Sequence, residues 1–161
     1  MARLFVMCGI PGSGKSTWAK QFLSHAEYVS RDEIRFSLVK EDEEYFSKEN
    51  EVFETFIKTI SNHLMNGKDV VADATHINEG SRRKLLKEIS GADEIAAVVL
   101  DIPYVVALER NEQRKDTRAY VPRGVIRRMW SQSSFPTFDE GFNEIYRIDK
   151  NNNLHYLVKE G

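Results

Sequence analysis

Apolar residues follow two different spacings along this chain. Between residues 51 and 67 they recur every three or four positions, which is the spacing of an amphipathic helix. Elsewhere they form short runs without strict alternation, as in strands that are buried on both faces. Four such runs are predicted as strands, at residues 3–8, 28–30, 69–74 and 94–101.

Helical segments separate the predicted strands. They are expected at residues 15–25, 31–39, 51–67, 78–91 (with Gly91 as a cap), 103–110 and 125–133. Residues 144–158 predict two further strands around the turn "KNNN". Alternating strands and helices are typical of an α/β fold, in which right-handed crossovers join parallel strands and helices cover both faces of the sheet. The sequence has no repeat and no linker, so we expect one domain over residues 1–161.

Charge and cysteine content narrow the classes of protein that fit. The formal net charge of −2 argues against a protein that coats nucleic acid non-specifically, although it leaves room for a local basic cleft. Cys8 is the single cysteine, so no internal disulfide is possible, which suits a reducing compartment. The apolar opening is too short for a secretory signal, and no apolar run could cross a bilayer. We therefore expect a cytoplasmic protein with no membrane partner.

The segment "GIPGSGKS" at residues 9–16 matches the phosphate-binding loop pattern G-x-x-x-x-G-K-[ST] in full. Glycines let backbone N–H groups turn toward phosphate oxygens, and the following helix presents its positive end to the same anion. Lys15 can reach the β- and γ-phosphates, and the Ser16 hydroxyl can bind Mg²⁺. A plain glycine-rich turn is the alternative, but the apolar run before the loop and the helix after it favour phosphate binding. The predicted nucleotide-binding residues here are Gly9, Pro11, Gly12, Ser13, Gly14, Lys15, Ser16 and Thr17.

A metal-bound triphosphate also needs a carboxylate at the end of a core strand. Asp73 and Asp101 each end a predicted strand, and the carboxyl ends of parallel strands share one edge of a sheet. Asp101 lies two residues before Pro103 and could form an Asx-type cap instead. We therefore predict Asp73, together with Ser16, as the metal site; the alternative for Asp73 is a simple turn residue.

A third acid, Asp32, follows the second predicted strand directly. Its carboxylate could accept the proton of an attacking hydroxyl, which is a role that kinases need. Arg35 lies three residues later, on the same helix face, and could hold that carboxylate or grip an acceptor phosphate. On spacing alone, a surface ion pair at the start of a helix is an equal alternative.

Basic residues gather after the fourth predicted strand, in a segment that we expect to form a small arginine-rich lid at about residues 111–128. Arg110 and Arg114 are four positions apart, so both can face one ligand and stabilise charge during phosphoryl transfer. A solvated charged helix is the alternative. The basic residues of the segment are Arg110, Arg114, Lys115, Arg118, Arg123, Arg127 and Arg128.

The motifs "GIPGSGKSTWAK", "SRDEIR", "VVADATHIN" and "ERNEQR" resemble, in that order, the kinase domain of phage polynucleotide 5′-kinase and its relatives. The resemblance covers roughly residues 3–130, and the wider group includes zeta-toxin-like and other AAA-type ATP-binding kinases. It implies a P-loop NTPase fold and an ATP- and Mg²⁺-dependent phosphotransferase. The turn "DATHIN" would shape the acceptor site, with Thr75 and His76 as possible contacts, although a lone loop histidine is more often solvated.

The resemblance also implies individual roles. Lys15 and Ser16 would bind the ATP phosphates and Mg²⁺, and Asp32 would be the general base for an acceptor 5′-hydroxyl. Arg35 would position the acceptor's phosphate, and Arg114 would contact the donor and stabilise the transition state.

The acceptor stays open at this point. A nucleic-acid 5′-hydroxyl is the leading expectation, yet the acidic stretch at residues 40–50 could repel a long polynucleotide. The alternatives are a small metabolite or nucleoside on the same scaffold, or a regulatory ATPase that has no acceptor. The last ranks lowest, because Asp32 with Arg35 would have no task in it.

Overall fold

The computed structural model describes residues 1–159 as a single six-stranded sheet flanked by helices. The strands are β1 (Arg3–Cys8), β2 (Glu27–Ser30), β3 (Val70–Asp73), β4 (Glu94–Leu100), β5 (Glu144–Ile148) and β6 (Leu154–Leu157). The helices are α1 (Lys15–Phe22), α2 (Arg31–Leu38), α3 (Glu49–Met65), α4 (Glu79–Glu88), α5 (Tyr104–Glu112) and α6 (Arg123–Gln132), and a 3₁₀ turn covers Phe138–Glu140.

The strand order is β2-β3-β1-β4-β5-β6, which places β1 in the interior of the sheet. The first five strands are parallel, and only β6 runs antiparallel, paired with β5. Phe5 of β1 lies opposite Val71 of β3 on one side and Ala96 of β4 on the other. The predicted α/β architecture of the P-loop type is confirmed, including the strand pair at the end of the chain.

Helices cover both faces of the sheet, as the unbroken apolar strands predict. Along β1, Leu4 and Val6 belong to a core that α3 and α4 complete, whereas Phe5 and Met7 belong to a core that α1 completes. All four side chains are at least 95% buried. A strand with apolar residues on both sides can therefore lie only in the interior of the sheet.

Helix ends differ from the sequence-based bounds by a few residues. Helix α1 stops at Phe22, because the Leu23 N–H closes on the Ala19 carbonyl and its backbone then leaves the helical region. The prediction of Gly91 as a helix cap is wrong, since α4 ends at Glu88. Gly91 instead lies where a Cβ would come within 2.9 Å of the Met65 backbone nitrogen, so it permits close packing of this loop on the end of α3.

The carboxyl ends of the five parallel strands share one edge of the sheet. Ligands of open α/β sheets bind at this edge, where strand order places neighbouring loops together. The glycine loop follows β1, Asp32 follows β2, the "DATHIN" turn follows β3, and Asp101 follows β4. Within the described part of the chain, no helix has the length and apolar character to cross a membrane.

Candidate active site

The glycine loop is held between β1 and α5. Gly12 has φ +87°, and a Cβ there would lie 2.3 Å from the Ala107 carbonyl oxygen, so only glycine allows α5 to pack this closely. Gly14 has φ +93° and is the N-cap of α1. Having no side chain, Gly14 cannot cap the first-turn N–H groups, which are left to bind an anion.

Lys15 lies inside the loop, with Nζ 3.3 Å from the Ile10 carbonyl oxygen. Burial lowers the pKa of Lys15, and the carboxylates of Asp73 and Asp32 oppose that shift. Ser13 is 1% exposed, and its Oγ has no hydrogen-bond partner among residues 1–159. A buried hydroxyl of this kind costs free energy unless a ligand supplies a partner.

Ser16 and Asp73 meet, as the predicted metal pair requires. The Ser16 hydroxyl donates to Asp73 Oδ2 at 2.7 Å, and the Tyr28 hydroxyl donates to the same oxygen. Burial and the adjacent Asp73 carboxylate raise the pKa of Tyr28, so its proton stays on the phenol. Asp101 lies elsewhere on the edge, 3.3 Å from Arg147 Nη1, which favours Asp73 over Asp101 as the acid beside the loop.

Asp32 and Arg35 share one face of α2, as their spacing predicts. Arg35 Nη1 donates to Asp32 Oδ1 at 2.5 Å. The Arg35 fork also donates to both carboxylate oxygens of Glu49, at 2.6 and 3.0 Å. The Arg35 side chain is 7% exposed, whereas Asp32 is 62% exposed. These contacts make Arg35 a holder of the Asp32 carboxylate; its grip on an acceptor phosphate stays a prediction.

Glu49 and Tyr45 complete this cluster, and sequence reasoning missed both. Both lie within the acidic stretch at residues 40–50, and neither has a spacing that relates it to Asp32. The Tyr45 hydroxyl lies 3.5 Å from Asp32 Oδ1 and 3.3 Å from Arg35 Nη1. Burial, followed by the Asp32 carboxylate, raises the pKa of Tyr45.

The predicted lid arginines divide into two groups. Arg110 Nη1 donates to the Ser13 carbonyl of the glycine loop at 3.2 Å. Arg114 lies close enough to Lys15 for its charge to depress the lysine pKa, and its buried Nε has no partner in the described chain. Both arginines therefore lie on the side where a donor triphosphate would bind.

Arg118 belongs to the other group, because it contacts α2 instead. It donates to the Phe36 carbonyl at 3.2 Å and to the Val39 carbonyl, and its guanidinium lies 4.8 Å from the Phe36 ring centre. Arg110 thus contacts the glycine loop, and Arg118 in the predicted lid segment contacts the helix that carries Asp32.

The turn after β3 packs against the start of the glycine loop. The Gly9 N–H donates to the Thr75 carbonyl at 2.9 Å, and His76 Nδ1 lies 2.8 Å from the Met7 carbonyl oxygen. His76 is 5% exposed and burial lowers its pKa to about 4, so the ring is neutral at pH 7. The idea of a solvated loop histidine is wrong, and a contact between His76 and the acceptor stays a prediction.

Two cavities open beside Trp130, at the carboxyl edge of the sheet. One has a volume of about 150 Å³ and is lined by Gly9, His76 and Phe135 among others. The other has a volume of about 350 Å³ and lies between the ends of β4 and β5, next to Asp101 and Asp149. The edge of the sheet thus offers two open cavities around Trp130 and an exposed carboxylate on the β2 side.

Comparison with known proteins places this geometry among P-loop enzymes. The profile of the AAA domain family AAA_33 matches residues 4–136. The L-seryl-tRNA(Sec) kinase of Methanococcus maripaludis is 26% identical over an alignment that covers 94% of this chain and 68% of that protein.

Solved structures share the fold at lower sequence identity. A chain of the Pnkp1/Rnl/Hen1 RNA repair complex superposes with a TM-score of 0.71 at 24% identity, covering 81% of this chain and 43% of that one. Kti12 of Chaetomium thermophilum, solved with ADP-AlF3, gives 0.68 at 17% identity, covering 93% and 90%. A gluconokinase from Sinorhizobium meliloti 1021 gives 0.58 at 18% identity, covering 90% and 81%. This chain therefore spans less than half of the RNA repair protein.

Proposed function

Because this chain belongs to the AAA_33 family and is a P-loop phosphotransferase, we propose that it transfers the γ-phosphate of ATP to the 5′-hydroxyl of a nucleic-acid end. The observation that carries the proposal is Asp32, an exposed carboxylate that Arg35 holds and that lies close enough to Lys15 to affect the lysine pKa. A protein that only binds or hydrolyses ATP has no need of a second carboxylate fixed in this way.

On the donor side, the first-turn amides of α1 and the Lys15 ammonium would hold the triphosphate. Arg110 and Arg114 would neutralise charge on the oxygens of the transferred group, since both already face the glycine loop. The Ser13 hydroxyl would supply a further hydrogen bond to the phosphates. The base of ATP would lie on the β4–β5 side, between the lid and residues 133–142.

Ser16 and Asp73 fit a magnesium ion. A hydroxyl and a carboxylate 2.7 Å apart are ligands of the kind that Mg²⁺ takes, because it keeps its remaining positions for water and phosphate oxygens. When bound, the ion would neutralise charge on the donor phosphates. Among residues 1–159, no cluster of three His, Cys, Asp or Glu side chains could hold a metal by itself.

On the acceptor side, Asp32 would take the proton of the attacking hydroxyl. Arg35 and Tyr45 would fix the orientation of the carboxylate, and Glu49 would hold Arg35 in place. Along this edge of the sheet, Lys15 would lie between the donor phosphates and the acceptor. We further propose that the whole chain acts as one domain, with a lid at about residues 111–128.

The nucleic-acid acceptor takes support from relatives that are named for RNA substrates, including the tRNA kinase and the RNA repair protein. A small hydroxyl compound is the second candidate, and the specific observation that favours it is the acidic run at residues 41–44, which directly precedes the Asp32 contact Tyr45 in the chain. A solved gluconokinase shares the fold and thus shows that the scaffold accommodates small acceptors.

The test of the base is Asp32→Asn, with Glu33→Gln as the matched control. Glu33 is the next residue on α2 and is also exposed, but its side chain does not contact Arg35 in the described structure. We expect Asp32→Asn to lower the rate of phosphate transfer about 10²- to 10⁴-fold with ATP affinity nearly intact, because only proton removal is lost. Radiolabelled ATP and a 5′-hydroxyl oligonucleotide provide the assay.

The outcomes separate the candidates. Transfer by Asp32→Asn at the rate of the wild type would remove Asp32 from the mechanism. If wild-type protein transferred phosphate to a nucleoside or sugar but to neither DNA nor RNA, the nucleic-acid acceptor would be abandoned in favour of the small one.

A further inference from the structure

Three aromatic side chains lie together beside Asp32, in and just after α2. We call Phe36, Tyr45 and Phe46 the aromatic array. The ring centres of Tyr45 and Phe46 are 4.7 Å apart, and those of Phe36 and Tyr45 are 6.3 Å apart, both in edge-to-face geometry. Phe36 and Tyr45 are half-buried, whereas Phe46 is 53% exposed.

Arginines fix the array from the protein side. The Arg35 guanidinium lies 4.9 Å from the Tyr45 ring centre and 5.5 Å from that of Phe46. Arg118 of the lid lies 4.8 Å from the Phe36 ring centre. Cation–π contacts of this kind restrain the rings, so the array is a preformed surface.

The aromatic array lies next to the Asp32 carboxylate. The Tyr45 hydroxyl lies 3.5 Å from Asp32 Oδ1, and Phe46 follows Tyr45 directly in the chain. A planar group stacked on Phe46 would therefore be carried by the same small molecule, or the same terminal unit, whose hydroxyl meets Asp32.

The acidic side chains near the aromatic array indicate what kind of ligand could bind there. Residues 41–44 are all acidic and lie between Phe36 and Tyr45 in the chain. Their carboxylates would repel a phosphate on this side of Asp32, whereas they would not repel an uncharged planar ring. Bases of every kind present such a ring, and aromatic side chains bind them by stacking without regard to sequence.

On the basis of the proposed function, we propose that the aromatic array binds the nucleobase of the nucleotide that carries the accepting 5′-hydroxyl. Stacking of this kind holds the acceptor before and during transfer alike, so it lowers KM for the acceptor and leaves kcat nearly unchanged. It also makes the terminal nucleotide the recognised unit.

The test compares two acceptors on four proteins. The acceptors are short oligonucleotides that differ only in a 5′-terminal adenosine or a 5′-terminal abasic unit, each with a free 5′-hydroxyl. The proteins are the wild type, Phe46→Ala, Phe46→Trp and Phe22→Ala. Phe22 is the matched control, because it is 48% exposed on α1 and lies outside the array. Thermal melting of each variant checks that it is folded.

We expect the wild type to prefer adenosine over the abasic unit about tenfold to hundredfold in kcat/KM, through KM. Phe46→Ala should lose this preference, Phe46→Trp should keep it, and Phe22→Ala should match the wild type. Equal use of both acceptors by the wild type, or an undiminished preference in Phe46→Ala, would overturn the aromatic array as the nucleobase site. Absence of transfer to either acceptor would instead reject the nucleic-acid function on which the inference rests.

Discussion

The turn after β3 buries His76 beneath the glycine loop, and burial lowers the pKa of its imidazole to about 4. In an unfolded chain the same ring has a pKa near 6.5. Protonation therefore favours the unfolded state, and the free energy of unfolding should fall as pH drops from 6.5 toward 4. Between pH 7 and pH 5 the expected loss from this group is about 2 kcal/mol.

Urea unfolding of the wild type and of His76→Asn at pH 7 and pH 5 measures this loss. Asparagine tolerates the positive φ of this position, which is +42°, and does not titrate. The variant should be less stable at pH 7 yet lose less stability on acidification. His63→Gln on α3 is the control, and a pH dependence in His76→Asn equal to that of the wild type would contradict the prediction.

At the level of single residues, the sequence predicted contacts within a motif and missed contacts between distant segments. Lys15, Ser16 and Asp73 were predicted because the phosphate loop and the ends of parallel strands impose their positions. Glu49 was missed because its contact with Arg35 depends on how α3 packs on α2. No spacing along the chain relates Glu49 to Arg35, since the two residues meet only when the two helices pack together.

Among the elements, the lid and α2 are joined through Arg118. Its two hydrogen bonds go to carbonyls at the carboxyl end of α2, where the helix dipole favours a cation. We expect Arg118→Ala to loosen the lid and, because the lid carries Arg114, to lower the rate of phosphate transfer about fivefold.

Hydrogen exchange of the amides at residues 113–120 reports on the lid without reference to any acceptor. Exchange there should be faster in Arg118→Ala than in the wild type. Arg127→Ala is the matched control, since Arg127 is exposed on α6 and contacts neither α2 nor the glycine loop in the described structure. Unchanged exchange in Arg118→Ala would show that the lid does not depend on this contact.

Every predicted helix is present, but the ends were less predictable than the cores of these elements. Apolar spacing fixes which residues face the sheet, and this is why α3 was predicted from residues 51–67. The last turn depends on backbone hydrogen bonds and on what lies beyond it. At Gly91 the deciding factor is contact with Met65 at the end of α3, which spacing along α4 does not record.

Across the whole molecule, a buried ion pair joins segments that are far apart in sequence. Arg82 of α4 and Glu140 of the 3₁₀ turn are both at most 1% exposed in their side chains, with Nε 2.6 Å from Oε1. Arg82 also donates to the carbonyls of His76 and Ser134. The pair therefore connects the turn beneath the glycine loop with the segment that lines the 150 Å³ cavity.

Removal of one partner leaves a buried charge without compensation. We expect Arg82→Met and Glu140→Leu each to lower the free energy of unfolding by about 3–5 kcal/mol. The double variant should lose clearly less than the sum, because neither charge then remains. Urea unfolding of all four proteins in this cycle gives the coupling, and additive losses would contradict it.

The overall architecture was predictable because alternating strands and helices leave few topologies for a parallel sheet. The order of strands, and so the position of Asp32, directly after β2, at one end of the parallel part of the sheet, was not. It depends on which crossover passes over which face, and those choices are made by packing among residues such as Phe56 and Leu85.

The position of Cys8 has a practical consequence. It ends the central strand with 3% exposure, and burial raises the pKa of its thiol to about 12. A thiol that is neither accessible nor ionised reacts slowly with alkylating reagents. The native chain is thus a ready background for attaching one fluorescent dye or spin label to an introduced surface cysteine, so that lid motion could be followed in solution without first removing a residue from the core.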